Sequence, residues 1–236
     1  LRIGFALAIV RSFQTEEANM KAFHGDPAIK AKYLARLQAH HVADEIIQGT
    51  GWGGGRGCAV GCTLNKYNHK AYEVELGLPE WLARLEDRIF EGLLAVEAKQ
   101  FAVDFLESIP VGADVDNVRW QLAAKRHSRD RDRLLKNPEP YAKQCVKALN
   151  IVIAFCETEV KSESAAELAR LAAWSAAESA AESAAWSAAE SAMWSAMWSA
   201  RSAMWSSMWS SMWSSHFKWE AETLLALLRE APQAAE

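Results

Sequence analysis

With 236 residues, half of them apolar and about a quarter charged, the chain can bury a sizeable core, as one large domain or two unequal ones. A net charge of -4 argues against general nucleic-acid affinity, and no stretch reaches the twenty or so apolar residues of a membrane-spanning helix. Four cysteines, two of them in helix-like apolar stretches, do not make a disulfide framework, so a reducing cytoplasm is the expected setting.

In chain order, Ile3 to Val10 is a short apolar run after Arg2. It sits at the short limit for a secretory signal and reads better as a buried strand or a first helical turn. The chain begins with Leu, which leaves room for an upstream portion. Asp26-Pro27 is a helix start, with Asp as N-cap and Pro at the first helical position. The apolar positions Ile29, Tyr33, Leu34, Leu37, Ile46 and Ile47 carry the expected helix as far as Gly49.

Seven of the twelve glycines then fall between Gly49 and Gly61. Such a loop is costly to hold in one shape. Two readings compete: a flexible connector, or a backbone that approaches a ligand through Gly53, Gly54, Gly55, Arg56 and Gly57, with successive N–H groups cradling an anion. It is not a dinucleotide or P-loop motif, because a helix precedes it and no Gly-Lys-Ser/Thr ending follows. Cys58 and Cys62 are four apart, His69 follows, and His40 and His41 lie just before the loop. These five residues could hold zinc, although two close Cys-x2-Cys pairs are absent. A cysteine nucleophile activated by histidine is the other chemistry they allow. Against both stands the simpler view of buried cysteines and hydrogen-bonded histidines.

Leu78-Pro79 opens a second helix, with Leu82, Leu85 and Ile89 at helical spacing and Gly92 at its end. Its Glu86 and Asp87, amid Arg84 and Arg88, read as a solvated, ion-paired face. A third helix spans Glu97 to Glu107, with Phe101 and Phe105 on one face and Pro110 as stop. Asp114 or Asp116 starts a fourth, which runs through Val118 and Leu122 into Lys125–Lys136. From Arg119 to Lys147 nine Lys/Arg stand against three Asp/Glu. Arg126, Arg129, Arg131 and Arg133 are therefore either a solvated helix face or a site for phosphate or another anionic partner. Asn137 to Pro140 is a break, and a fifth helix follows with Tyr141, Cys145, Val146, Leu149, Val152, Ile153 and Cys156 inward.

After Pro140 the next proline is Pro232, and no glycine follows Gly112. From Trp174 to Ser215 serine returns almost every fourth residue, with alanine and Glu/Ala and later Met/Trp between. A capping box at Ser164–Glu167 starts this stretch. About 66 helical residues would extend about 100 Å, against a diameter of about 45 Å for a compact chain of this size. Such a helix must project, wrap, or fold back, and Arg201, where the four-step falters, is the place for a corner. A four-residue step drifts about 40° per repeat, so the run is no heptad zipper.

The stretches His24-Gly-Asp-Pro27, Tyr33-Leu-Ala-Arg36, the Gly/Cys loop through Cys62 and Leu82–Gly92 resemble a group of bacterial or phage proteins to which no activity is attached. The Ser-Ala-x-x tail is similar to tails on proteins of that kind. The resemblance implies a bacterial or phage setting and carries no catalytic residue.

The sequence thus predicts an all-α protein. Residues 1–157 form a helical domain with the Gly-rich loop 49–62, and 158–236 a long repeat helix or helical hairpin packed on it. The leading functional expectation is a non-enzymatic binding or self-assembly protein whose partner is another copy or another protein. The alternative is a metal- or thiol-dependent enzyme using loop 49–62 and the nearby histidines.

Overall fold

The computed structural model describes residues 20–136, 142–158 and 202–235, without the side chains of 144 and 202–213. The fold is mostly helical, with eight α-helices and one two-stranded ribbon among these residues. The expectations for Ile3 to Val10, for the break at Asn137 to Pro140, for Tyr141, for the capping box at Ser164 and for the repeat through Arg201 lie outside them.

The chain divides into two compact units. One comprises Leu1–Phe90, Lys99–Asp116 and Leu228–Glu236. Its described part opens with a turn, Ala22–Gly25, in which Phe23 and His24 take left-handed backbone angles (φ 55° and 52°). Such angles cost a bulky residue about 1–2 kcal/mol, and burial of the whole Phe23 side chain offsets that. Asp26 then caps helix α1 (Pro27–Val42), its Oδ1 accepting from Ala28 N–H at 2.8 Å.

Helix α1 does not continue to Gly49. It stops because Asp44 turns left-handed (φ 58°) and Glu45 N–H donates back to the His40 carbonyl at 2.9 Å. Asp tolerates that angle and the β-branched pair Ile46-Ile47 prefers extended backbone. Ile46, fully buried, bridges to Gly57, and Ile47 N–H donates to the Gly57 carbonyl at 2.8 Å.

The ribbon pairs β1 (Trp52–Gly53) with β2 (Arg56–Gly57), antiparallel. Two six-residue helices follow, α2 (Ala59–Leu64) and α3 (Ala71–Leu76), ended by Asn65 and Gly77 in the left-handed region. Leu78-Pro79 leads into α4 (Glu80–Gly92), as its sequence predicts. Helix α5 (Ala95–Ser108) buries Phe101 and Phe105, with ring centroids 6.1 Å apart. Lys30 Nζ donates to the carbonyls of Glu107 (2.9 Å) and Ile109 (2.7 Å), satisfying acceptors that the helix end leaves open. The C-terminal segment also joins this unit: Ala234 N–H donates to the Gly112 carbonyl, and Asp114 N–H to that of Pro232.

The other unit comprises Glu91–Ala98 and Asn117–Leu227. Helices α6 (Val118–Lys136) and α7 (Ala142–Glu157) pack side by side. Trp120, at the start of α6, meets Phe155, near the end of α7, edge-on at 5.4 Å, so the two run antiparallel. Cys145, Ala148, Ile153 and Cys156 are buried along α7. Helix α8 (Ser202–Arg229) is unbroken for 28 residues, about 42 Å. From Phe217 onward it buries Phe217, Ala221, Leu224, Leu225, Leu227 and Leu228, the spacing of one helical stripe. The Phe217 ring lies so close over Gly92 that a methyl group there would overlap it.

Candidate functional site

The glycine-rich loop is built, and its glycines have separate tasks. Gly54 and Gly55 occupy the two central positions of the β1–β2 turn with φ 60° and 82°, the pattern of a primed hairpin turn that only glycine enters at no steric cost. Gly53, Gly54, Gly55 and Arg56 are exposed at this tip. Gly51, Gly57 and Gly61 serve close packing. A Cβ on Gly61 would lie 3.0 Å from the carbonyl carbon of Gly51, and nearer still to its oxygen; a Cβ on Gly57 would meet the same group. On Gly51 a Cβ would run into the Tyr67 ring.

The amides here are already engaged. Gly57 N–H donates to the Glu45 carbonyl at 3.1 Å, and Cys58 N–H to the carbonyls of Thr50 (2.7 Å) and Gly51 (3.1 Å). These two N–H groups, which an anion cradle would use, bind backbone instead.

The sulfurs and imidazoles separate into two groups. In the first, His40 holds Glu45 through Nδ1 (2.5 Å) and Asn65 Oδ1 through Nε2 (3.0 Å), and meets Trp52 edge-on at 5.5 Å. Cys62, fully buried, directs its Sγ at the carbonyls of Gly57 (3.3 Å) and Glu45 (3.6 Å). Burial pushes its thiol up to about 11, and the Glu45 charge adds to this against the Gly57 hydrogen bond. His41 makes no contact with either sulfur among the hydrogen bonds and ion pairs described.

The second group gathers round Asp87. His69 Nε2 lies 3.1 Å from Asp87 Oδ2, which also accepts from the Tyr67 hydroxyl at 2.9 Å. The Tyr67 and His69 rings meet edge-on at 4.9 Å. Cys58, the residue before α2, is buried near Glu86 and Asp87 of α4. Burial raises its thiol far above the ordinary range, and the Asp87 and Glu86 charges raise it further. Neither loop thiol is a thiolate at neutral pH. Two of the five predicted ligands, Cys58 and His69, thus come together at Asp87. Among the described residues no group of three or more His, Cys, Asp or Glu is arranged to hold a metal ion.

Glu86 departs from the solvated face read for it. It is fully buried, and Tyr72, also fully buried, donates its hydroxyl to Glu86 Oε2 at 2.7 Å. Glu86 Oε1 has no hydrogen-bond partner among the described residues. Burial raises its carboxyl to about 8; the Asp87 charge raises it further and the Tyr72 hydrogen bond opposes both. The sequence does carry a signal for this: Glu86 is four after Leu82 and three before Ile89, on the buried stripe of α4. Arg84, exposed and paired with Glu80 at 2.5 Å, and Arg88, also exposed, do lie on the solvated face.

In the other unit, two of the four arginines expected to face anions are used internally. Arg126 donates to the fully buried Glu220 of α8, and His216 Nε2 lies 3.7 Å from the same carboxyl. Arg129 stacks over the Trp219 ring at 4.4 Å. Arg131 pairs with its neighbour Asp132 at 3.0 Å, and Arg133 is exposed near the end of α6. No protein-family model, curated protein or solved structure matches the chain. No described helix is long and apolar enough to cross a membrane.

Proposed function

We propose that this is a non-enzymatic assembly protein, and that the Met/Trp-bearing part of α8 associates with a second copy of the chain. The observation that carries this reading is the unbroken course of α8. Its C-terminal half is anchored through the stripe from Phe217 to Leu228. The sequence before that stripe places a Met-Trp pair every four residues, at Met204-Trp205, Met208-Trp209 and Met212-Trp213. Trp supplies large apolar area, and Met adapts its shape to a partner. Small Ser and Ala between them permit close approach of a neighbouring helix.

The state of the loop supports the same reading. Its thiols are buried and neutral, and the amides of Gly57 and Cys58 are engaged, so it lacks the activated nucleophile of a thiol enzyme. The test is a chain with Trp205, Trp209 and Trp213 replaced by Ser. Sedimentation velocity should show concentration-dependent oligomers for the parent chain and a monomer of equal helicity for the variant. A parent that stays monomeric, or a variant that associates as tightly as the parent, would overturn it.

A further inference from the structure

We propose that Glu86 is a proton-operated latch: as a neutral acid it lets α4 lie against α3 and the start of α2, and on losing its proton it loosens that contact and uncovers Cys58. This is independent of the assembly role. The geometry comes first. Among the described residues the Glu86 side chain has no exposure, one hydrogen bond at Oε2 and none at Oε1. The groups that act on it among these residues are the Tyr72 hydroxyl and the Asp87 carboxylate, neither of them a cation. A buried carboxyl without a cation is stable only in its neutral form, because desolvating an unpaired charge is far more costly than desolvating the acid.

The groups around it make proton loss consequential. From α3 comes the Tyr72 hydroxyl, with Thr63 of α2 beside it. From the residue preceding α2 comes the Cys58 thiol. From α4 itself comes Asp87, whose carboxylate is held by His69 and Tyr67 of the loop between α2 and α3. When Glu86 gives its proton to solvent base, two carboxylates stand side by side in a site with one hydroxyl donor for the new charge. Like charges that close cannot both stay buried. The carboxylate must reach water, and α4 has to shift from the Cys58 end of α2 for it to do so. The raised affinity of Glu86 for its proton sets the midpoint near pH 8.

The experiment is the rate at which Cys58 is alkylated, located by mass spectrometry of its peptide. It is measured from about pH 6 to about pH 10 and divided by the rate for an unstructured peptide of the same local sequence, which removes the thiol's own titration. For the wild-type chain this ratio should rise about tenfold or more through the Glu86 midpoint, with far-UV circular dichroism unchanged. Glu86→Gln keeps the Tyr72 hydrogen bond and cannot ionise, so its ratio should stay flat. Asp87→Asn removes the neighbouring charge that opposes ionisation of Glu86, so it should move the midpoint to lower pH. A flat wild-type ratio, a rise in Glu86→Gln equal to that of wild type, or an Asp87→Asn midpoint that stays put or moves up would each overturn the latch. Should Glu86→Gln not fold, the wild-type profile and the Asp87→Asn displacement decide by themselves.

Discussion

Gly61→Ala sets helix propensity against packing within one residue. Gly61 lies inside α2, where Ala is intrinsically better by about 1 kcal/mol. If the loop were a loose connector, the substitution would stabilise the fold. In the structure the added methyl would sit 3.0 Å from the carbonyl carbon of Gly51, inside normal contact with its oxygen, and 3.4 Å from Cβ of Trp52. The nearest obstacle is backbone that carries two hydrogen bonds to Cys58, so it cannot swing aside as a side-chain tip would. Parting the loop and the helix by about 1 Å in a close-packed interior costs on the order of 3 kcal/mol. Packing wins, and the net expectation is a loss of about 2 kcal/mol. Gly53→Ala is the internal control: a Cβ there meets nothing within 4 Å and the residue has no positive φ, so the change should stay within about 0.5 kcal/mol. Urea denaturation followed by circular dichroism measures both. A Gly61→Ala chain as stable as the parent, or more so, would refute the packed-loop reasoning.

Other consequences follow from single contacts. Arg126→Ala removes the guanidinium from the fully buried Glu220 and should cost about 3 kcal/mol by the same denaturation, because Arg126 itself is partly exposed; a loss under about 0.5 kcal/mol would class the pair with surface ion pairs. Asp26→Ala removes the α1 cap and should cost about 1 kcal/mol, with unchanged stability counting against the capping bond. Burial lowers the pKa of His127 and of His216 below their usual 6.5, helped in both by the charge of Arg126 and opposed most by Glu220 at His216. The unfolded chain therefore binds these protons first as pH falls, so their contribution is present above pH 6.5 and is lost below it. A His127→Gln, His216→Gln chain should show a shallower acid loss of stability in denaturation series at several pH values, and an unaltered slope would contradict the assignment.

Helix starts were the most legible part of the fold, because Asp26-Pro27 and Leu78-Pro79 act through local backbone chemistry. The end of α1 was not, since it depends on Asp44 turning left-handed and on Ile46 finding Gly57 across the loop. Helices α2 and α3 are six residues each, too short to show a 3.6-residue period, and rest on tertiary packing. At the candidate site the sequence grouped Cys58 with His69, and both do lie at Asp87, which the sequence did not include in that group. It gave Glu86 and Asp87 to solvent because Arg84 and Arg88 flank them, although the stripe through Leu82 and Ile89 already pointed Glu86 inward. The fate of Arg126 was beyond reach of local pattern, as its carboxylate partner lies 94 positions away.

Sedimentation equilibrium of the full chain over a hundredfold range of concentration weighs the assembly role most directly. A mass that climbs from one copy to a defined multiple, and does not climb once Trp205, Trp209 and Trp213 are serine, is the predicted result. A single-copy mass at every concentration would contradict it.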